Sequence, residues 1–269
     1  MRYILILYFI TLLIQNVYGY GYLTHRYLGK IADEYIDKYE ENIKKSINIR
    51  LESVSEWADR IKRNKKYEWT KQIHYIDIME CTNNIYDENI INKYCEDKCI
   101  ITGIKTLTRL LKQNKYVYEE IKYEYEYDNE ELYKKLNDEE KLKLLIHLIQ
   151  DFNQPMHYLG FKRGGNDYKI KMLYNNHNIT TNLHNIWDIF LPEYFIKNTN
   201  YKEKDNKYIK EDIYTLINRI FNKNIKIACK IYPANNYLIF DEYYNEEYMK
   251  ELFDNYMELI IKVLKYIYE

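Results

Sequence analysis

The distribution of apolar and polar residues along this chain predicts a protein built mainly of helices. Apolar residues recur at intervals of three and four, the spacing that places side chains on one helix face. The segments with this pattern are residues 24–47, 53–62, 100–111, 213–230 and 246–268. Residues 142–152 are apolar almost without interruption, so they are predicted to form a buried helix that Pro155 ends or kinks.

One stretch favours β structure, because residues 161–181 contain two glycines followed by larger side chains at every second position. These residues are Gly164, Gly165, Tyr168, Ile170 and Met172. The pattern predicts a small β hairpin. A short element at residues 73–77 and a short helix at residues 186–195 lie on either side of it in the chain.

Polar segments connect these elements. Residues 83–97 read as a loop held by cysteines, and residues 198–211 read as a polar insert. Residues 112–141 alternate in charge sign, which suits a solvated helix or a helical hairpin. No linker rich in Pro, Gly or Ser divides the chain, so we predict one domain over residues 20–269. The predicted fold is a mainly α, single-domain helical bundle with a small β hairpin.

Residues 1–19 have the pattern of a secretory signal peptide, with a signal anchor or a buried first helix as the alternative. Their features are Arg2 near the start, an apolar run over residues 3–14, and small side chains at Val17 and Gly19. The apolar run is too short to span a bilayer. Cleavage after Gly19 would free the amino group of Tyr20, and we expect the mature chain to lack stable membrane association.

Composition limits how this chain can attract a substrate. The 40 basic and 41 acidic residues leave a net charge of −1, so the usual basic footprint of a nucleic-acid-binding protein is missing. A phosphodiester substrate would therefore be attracted mainly by bound metal. The 33 tyrosines fit nucleotide bias in the coding sequence better than an aromatic binding function.

The four cysteines fit an oxidising compartment. They are Cys81, Cys95, Cys99 and Cys229, and four cysteines allow three disulfide pairings. A zinc site built from them is disfavoured, because the chain contains no CxxC motif.

Histidine and aspartate pairs point to metal binding. His147 and Asp151 stand four residues apart on the apolar 142–152 segment, and His184 and Asp188 repeat this spacing. Side chains four apart lie one turn apart on the same helix face and can bind one divalent ion. The alternative for His147 and Asp151 is a hydrogen-bonded polar pair in the core. An unpaired buried carboxylate is costly, and metal coordination offsets that cost.

Short motifs around these residues occur in the order found in one nuclease family, from residue 20 to about residue 192. They are YGYLTH, SEWAD, HYID, LLIHLIQDFNQPMH, GGN and NLHNIWD. Through them the chain resembles the S-one/P-one type of single-strand-specific zinc nucleases, relatives of bacterial zinc phospholipase C. The C-terminal third matches only as a helical pattern with one cysteine.

The resemblance implies three zinc ions. The first would be bound by Asp59, His74, His147 and Asp151, and the second by His157, His184 and Asp188. The third would be bound by the amine and carbonyl of Tyr20, by His25 and by Asp151. The family carries Trp where this chain has Tyr20, but the ligands there are main-chain atoms.

The resemblance also implies catalytic and substrate-binding roles. Asp59 would orient the attacking water and Lys62 would face the developing phosphorane charge, although Lys62 also fits a solvated helix lysine. The residues implied to hold a splayed nucleotide are Tyr75 by stacking, Asp77 by a hydrogen bond and Asn166 by closing over it. Tyr75 fits a plain core residue nearly as well. Arg163 departs from the apolar residue expected before GGN.

The implied disulfides are Cys81–Cys229 and Cys95–Cys99. Asn178 begins a glycosylation sequon, a short motif that is common by chance.

The implied activity is hydrolysis of single-stranded DNA and RNA to 5′-phosphorylated products, with loss of phosphate from 3′-mononucleotides as a second reaction. We expect a monomer in the secretory pathway that is either secreted or held in a vacuolar or lysosome-like compartment. The alternatives are a zinc-dependent phospholipase C and a non-catalytic binding protein on the same fold.

Overall fold

A computed structural model describes residues 21–79, 81, 93–95, 98–113, 130–202, 211–231 and 237–269. The α-helices are α1 (Tyr22–Tyr39), α2 (Glu41–Ser46), α3 (Leu51–Val54), α4 (Trp57–Ile61), α5 (Ile100–Gln113), α6 (Glu130–Lys134), α7 (Asp138–Asp151), α8 (Leu183–Asn185), α9 (Leu191–Asn198), α10 (Ile213–Ala228), α11 (Phe240–Tyr243) and α12 (Glu246–Tyr268). Two 3-10 helices cover Lys65–His74 and Pro155–His157, and a π-helical turn covers Ile186–Phe190. The strands are β1 (Lys169–Tyr174), β2 (His177–Asn182) and β3 (Tyr237–Ile239).

Helix α7 lies at the centre of the fold, as its apolar sequence predicts. A capping box at Asn137 and Glu140 fixes its start, since each side chain accepts a hydrogen bond from the other residue's backbone N–H. Nearly all of its side chains from residue 141 onward are buried, and α1, α4, α5 and α12 pack around it. The helix ends at Asp151, before Pro155, where the Asn153 side chain donates to the Ile149 carbonyl at 2.8 Å.

The predicted hairpin is present, and it belongs to a sheet with order β2-β1-β3. Strands β1 and β2 are antiparallel, with Lys169 opposite Asn182 and Tyr174 opposite His177. The short strand β3 pairs in parallel with β1 and was not predicted. It is three residues long and its partner lies far away in the chain, so no local period marks it.

Two predicted helices are interrupted in the structure. The 24–47 segment divides into α1 and α2, and the 53–62 segment divides into α3 and α4. The 186–195 segment opens as a π-helical turn before α9 begins. The charged 112–141 segment begins in α5 and ends in α7, and it contains α6 between them. Its residues 114–129 are outside the described part.

The two disulfides join Cys81 to Cys229 and Cys95 to Cys99, the pairing that the resemblance implies. The first connects positions 148 residues apart and ties the end of α10 to the segment after His74. The second closes a loop between residues only four apart. No described cysteine is free.

Removal of the long-range disulfide should cost more stability than removal of the local one. Loop entropy predicts about 5 kcal/mol for the double substitution C81A/C229A and about 2 kcal/mol for C95A/C99A. The measurement is chemical unfolding of both variants beside the unchanged protein. Equal losses would contradict the loop-entropy explanation, because it makes the loss depend on loop length.

Among the described residues, no helix is both long and apolar enough to cross a membrane. The predicted signal peptide, residues 1–19, and the predicted ligand Tyr20 lie outside the described part of the chain.

Candidate metal centre

Eight buried or half-buried side chains form three donor groups, of which the first two share His147. The groups are His25, Asp59 and His147; His74, His147 and Asp151; and His157, His184 and Asp188. Within each group, one ligand atom from each residue lies within 4.8 Å of the others. These are the side chains that the sequence assigns to metal binding, and the fold brings all of them together.

Asp151, at the end of α7, faces all three groups. Its Oδ2 lies 3.1 Å from Nε2 of His147 and 2.8 Å from Nδ1 of His74. Its Oδ1 lies 3.5 Å from Nε2 of His25, and its Oδ2 lies 3.8 Å from Nδ1 of His157. This is the position expected of a carboxylate that is shared between metal ions.

The third group is built on the π-helical turn. His184 in α8 and Asp188 in the turn approach to 3.1 Å between Nε2 and Oδ2. A π turn is rare and is frequent at functional sites, because it re-aims side chains that an ordinary helix would turn away. His157 completes the group, and its ring stacks on that of His184 with centroids 5.3 Å apart.

Main-chain carbonyls fix the orientation of three histidine rings. The bonds run from Nδ1 of His147 to the Ser55 carbonyl at 2.6 Å, from His157 to the His74 carbonyl at 2.7 Å, and from His184 to the Gly164 carbonyl at 2.7 Å. Because a carbonyl only accepts, each Nδ1 carries the hydrogen and Nε2 is left as a donor of its lone pair toward the centre.

Several of the inward-facing atoms have no hydrogen-bond partner among the described residues although they are buried. They include Nε2 of His74 and His157 and Oδ1 of Asp151. A buried polar atom without a partner costs about 1–3 kcal/mol, so a cluster of them calls for a cation. Imidazole nitrogens mixed with carboxylate oxygens are the donor set that zinc prefers, and the residues fit that ion.

The protonation of the histidines shows the same need for a cation. Burial lowers the pKa of His25 and of His74 to about 4, so both rings are neutral ligands at neutral pH. Burial also acts to lower the pKa of His147, but Asp151 and Asp59 outweigh it and raise that pKa to about 9. A divalent ion that binds His147 would therefore have to displace a proton from its ring.

Two glutamines hold ligands in place and were not recognised from the sequence. Gln150, fully buried on α7, accepts a hydrogen bond from Nδ1 of His25 at 2.6 Å and donates to Oγ of Ser55 at 3.0 Å. Gln154 donates to Oδ1 of Asp188. Both stand beside ligands in the motif LLIHLIQDFNQPMH, but sequence spacing does not show which ligand each one contacts.

Replacement of Gln150 by leucine should lower the affinity for the metal ion nearest His25 by about 10–100-fold, since Nδ1 of His25 would lose its acceptor. The readout is zinc content after dialysis at graded zinc concentrations. Asn224→Leu removes another fully buried amide, one that bonds the Phe152 carbonyl and lies outside the donor groups, and should keep the full zinc content. Equal zinc loss in both variants would contradict the positioning role.

His74, His157 and His184 of the donor groups line a cleft of about 530 Å³. The cleft is lined by the predicted catalytic Lys62 and by the predicted substrate residues Tyr75, Asp77 and Asn166. Nζ of Lys62 lies 2.6 Å from Oδ1 of Asp59, and the ring of Tyr75 is 39 % exposed, so it is not a core residue. Asn178, the predicted glycosylation site, is exposed on β2.

Glycine is required where the loop before β1 passes the metal centre. Gly164 and Gly165 have φ angles of 59° and 79°, in the left-handed region that favours glycine. A Cβ on Gly164 would lie 2.8 Å from the Met156 carbonyl oxygen and 3.4 Å from Nδ1 of His184. A side chain at position 164 would push the loop away from the His184 ring, whose orientation the Gly164 carbonyl sets.

Gly21, which precedes α1, also lies beside the metal centre. The backbone N–H of Gly21 donates to the Asp188 carbonyl at 2.7 Å, which anchors the residue that follows Tyr20 against a ligand-bearing turn.

Comparison with known proteins gives a consistent set of relatives. The profile of the S1/P1 Nuclease family matches residues 20–265. Nuclease S1 of Aspergillus oryzae is 27% identical over 186 residues, which cover 67% of this chain and 57% of that protein. Endonuclease 4 of Arabidopsis thaliana is 27% identical over 204 residues, covering 70% and 60%, and Nuclease P1 of Penicillium citrinum is 23% identical over 182 residues, covering 66% and 60%. The matches thus span less than two thirds of each relative's own length.

Proposed function

This chain belongs to the S1/P1 nuclease family, and from that premise we propose that it is a tri-zinc phosphodiesterase. Its substrates are single-stranded DNA and RNA, and its products carry 5′-phosphates. The observation that carries the proposal is the convergence of three His/Asp donor groups with buried, unpartnered ligand atoms beside one cleft, which His74, His157 and His184 line. His157, His184 and Asp188 hold one zinc, and His25, Asp59, His74, His147, Asp151 and the main-chain atoms of Tyr20 hold the other two.

Bound zinc would supply an acidified water and positive charge against the phosphate oxygens. Asp59, which is 2% exposed, is placed to accept a hydrogen bond from the attacking water and orient it. Lys62, held beside Asp59, lines the cleft and faces the negative charge that develops on the phosphate. In the same step, Lys62 would therefore act on the phosphate and Asp59 on the attacking water.

The shape of the cleft supports selection of single strands. Most of the donor residues are buried and only His74, His157 and His184 line the cleft, so a nucleotide must leave the base stack to bring its phosphate to them. The exposed ring of Tyr75 offers a stacking face, and Asp77 offers an acceptor for a base amino group. Asn166 lines the same cleft. The same contacts would accept a 3′-mononucleotide, which gives the second proposed reaction, a 3′-nucleotidase.

We place the protein in the secretory pathway, as a secreted or vacuolar enzyme that acts as a monomer. The two disulfides support this assignment, because disulfides persist in oxidising compartments. Residues 1–19 are proposed as the signal peptide and residues 20–269 as the nuclease domain.

The test is a comparison of substrates for the zinc-loaded protein. Denatured DNA should be degraded far faster than the same DNA as a duplex, and phosphatidylcholine should not be hydrolysed. Hydrolysis of phosphatidylcholine with DNA intact would replace the proposal by a phospholipase C. Three bound zinc ions with neither activity would indicate a binding protein.

A further inference from the structure

The cleft beside the metal centre has a second depression as its neighbour. Tyr75 and Asp77 line it and also line a second depression of about 360 Å³. Tyr94 and Lys98 form part of the far wall of this depression. The two depressions share Tyr75 and Asp77, so they are neighbours on the surface.

Positive charge is concentrated around this cleft. Lys62, Arg63, Lys71 and Arg163 line it, and Asp77 is the single carboxylate among the described lining residues. The whole chain carries a net charge of −1, so this excess is local. A concave surface lined by one sign of charge raises the local concentration of ligands of opposite charge.

Two of these cations have only weak intramolecular partners. Lys71 contacts Glu68 at 2.9 Å and Arg163 contacts Asp167 at 3.4 Å, and all four side chains are about half exposed or more. Exposed ion pairs contribute little, at most about 1 kcal/mol, so a phosphate can replace either carboxylate at small cost.

The backbone at Arg163 is held in an unfavourable conformation. Its φ is 52°, in the left-handed region, where a side chain with a Cβ costs about 1–2 kcal/mol. A residue kept there at the edge of the cleft is strained, and strained residues cluster at ligand sites. In this conformation the Arg163 side chain lines the cleft next to Gly164.

We propose that Arg63, Lys71 and Arg163 form a cationic rim that binds the phosphates on either side of the scissile one. Lys98 extends this contact beyond Tyr75. The preferred substrate is therefore a strand of several nucleotides, and a mononucleotide or dinucleotide uses only the metal centre. This inference rests on the proposed nuclease function, and it adds a backbone contact that the metal centre does not supply.

The decisive measurement is the salt dependence of binding, because binding does not require cleavage. The probe is a thymidine strand of about eight nucleotides with phosphorothioate linkages, a length within the site sizes of single-strand binders. Each phosphate contact on a single strand contributes about 0.7 to the slope of log Kd against log salt. The variant R63Q/K71Q/R163Q should therefore lower that slope by about 2. The affinity that the variant loses relative to the unchanged protein should then be about 20-fold larger at 50 mM salt than at 200 mM salt.

The matched control removes the same number of charges elsewhere. Lys30, Lys45 and Lys197 are exposed, pair with glutamates four residues away and do not line the cleft. The variant K30Q/K45Q/K197Q should leave the slope within about 0.5 of the unchanged protein. A phosphorothioate dinucleotide should bind both variants and the unchanged protein within about twofold.

The outcomes separate the rim from the nuclease proposal. The cationic-rim proposal would be refuted by an unchanged salt slope in R63Q/K71Q/R163Q, or by an equal fall of the slope in the control variant. Cleavage of denatured DNA by the unchanged protein is measured separately and tests only the proposed function. A protein that binds the strand with the expected rim-dependent slope but does not cleave it would retain the rim and lose the nuclease assignment.

Discussion

Replacement of Asp151 by asparagine is expected to reduce cleavage of denatured DNA by at least about 10³-fold. Loss of a group that only orients a metal ligand typically costs about 10–100-fold, and Asp151 is a direct donor that faces all three groups. Asparagine keeps the shape but removes the negative charge that offsets bound cations. The measurements are the initial cleavage rate and the zinc content of the purified variant, which should fall below that of the unchanged protein.

A second buried carboxylate provides the control for this substitution. Asp33 is 3% exposed and accepts hydrogen bonds from the backbone N–H groups of Leu51 and Glu52, both at 3.0 Å, at the start of α3. Asp33→Asn keeps one acceptor and should cost about 1 kcal/mol of stability with the zinc content and cleavage rate retained. Unchanged cleavage in Asp151→Asn would refute the shared-ligand role, and loss of cleavage in both variants would point to a general folding defect.

Removal of zinc by a chelator is expected to lower the midpoint of thermal unfolding by at least about 10 °C. Binding to the native state alone stabilises by about 4 kcal/mol for each site at a ligand concentration of 1,000 Kd, and three sites are proposed. Asp59, Asp151 and Asp188 would remain buried without the cations that compensate their desolvation. The measurement is thermal unfolding of loaded, chelated and reloaded protein.

The choice of ion in the reloading step is the control. Zinc should restore the midpoint, and magnesium should not, because magnesium prefers oxygen ligands in octahedral geometry and the donor groups are rich in imidazole. A midpoint that stays within about 2 °C after chelation would mean that the donor groups do not bind metal tightly in the native protein.

Helix α7 and the donors on it could be predicted because their signal is local. The apolar run of 142–152 and the spacing of His147 and Asp151 depend only on helix periodicity, and the structure shows both. The hairpin carries an equally local signal and is present as β1 and β2.

Features that depend on distant contacts could not be predicted from patterns. Strand β3 pairs with β1 across more than sixty residues, and its own sequence is too short to mark a strand. Gln150 orients His25, which lies 125 residues away, so its role exists only in three dimensions. The convergence of motifs scattered from His25 to Asp188 was anticipated from the family resemblance, since spacing alone does not bring separate helices together.

The anchoring of the histidine rings has a consequence for how this enzyme class can diverge. His147, His157 and His184 bond to main-chain oxygens, which every amino acid supplies, so these three bonds do not depend on the anchoring residue's side chain. His25 depends on a side chain instead, through Gln150. A substitution of Gln150 during sequence divergence should therefore weaken metal binding at His25 while the other three rings stay anchored.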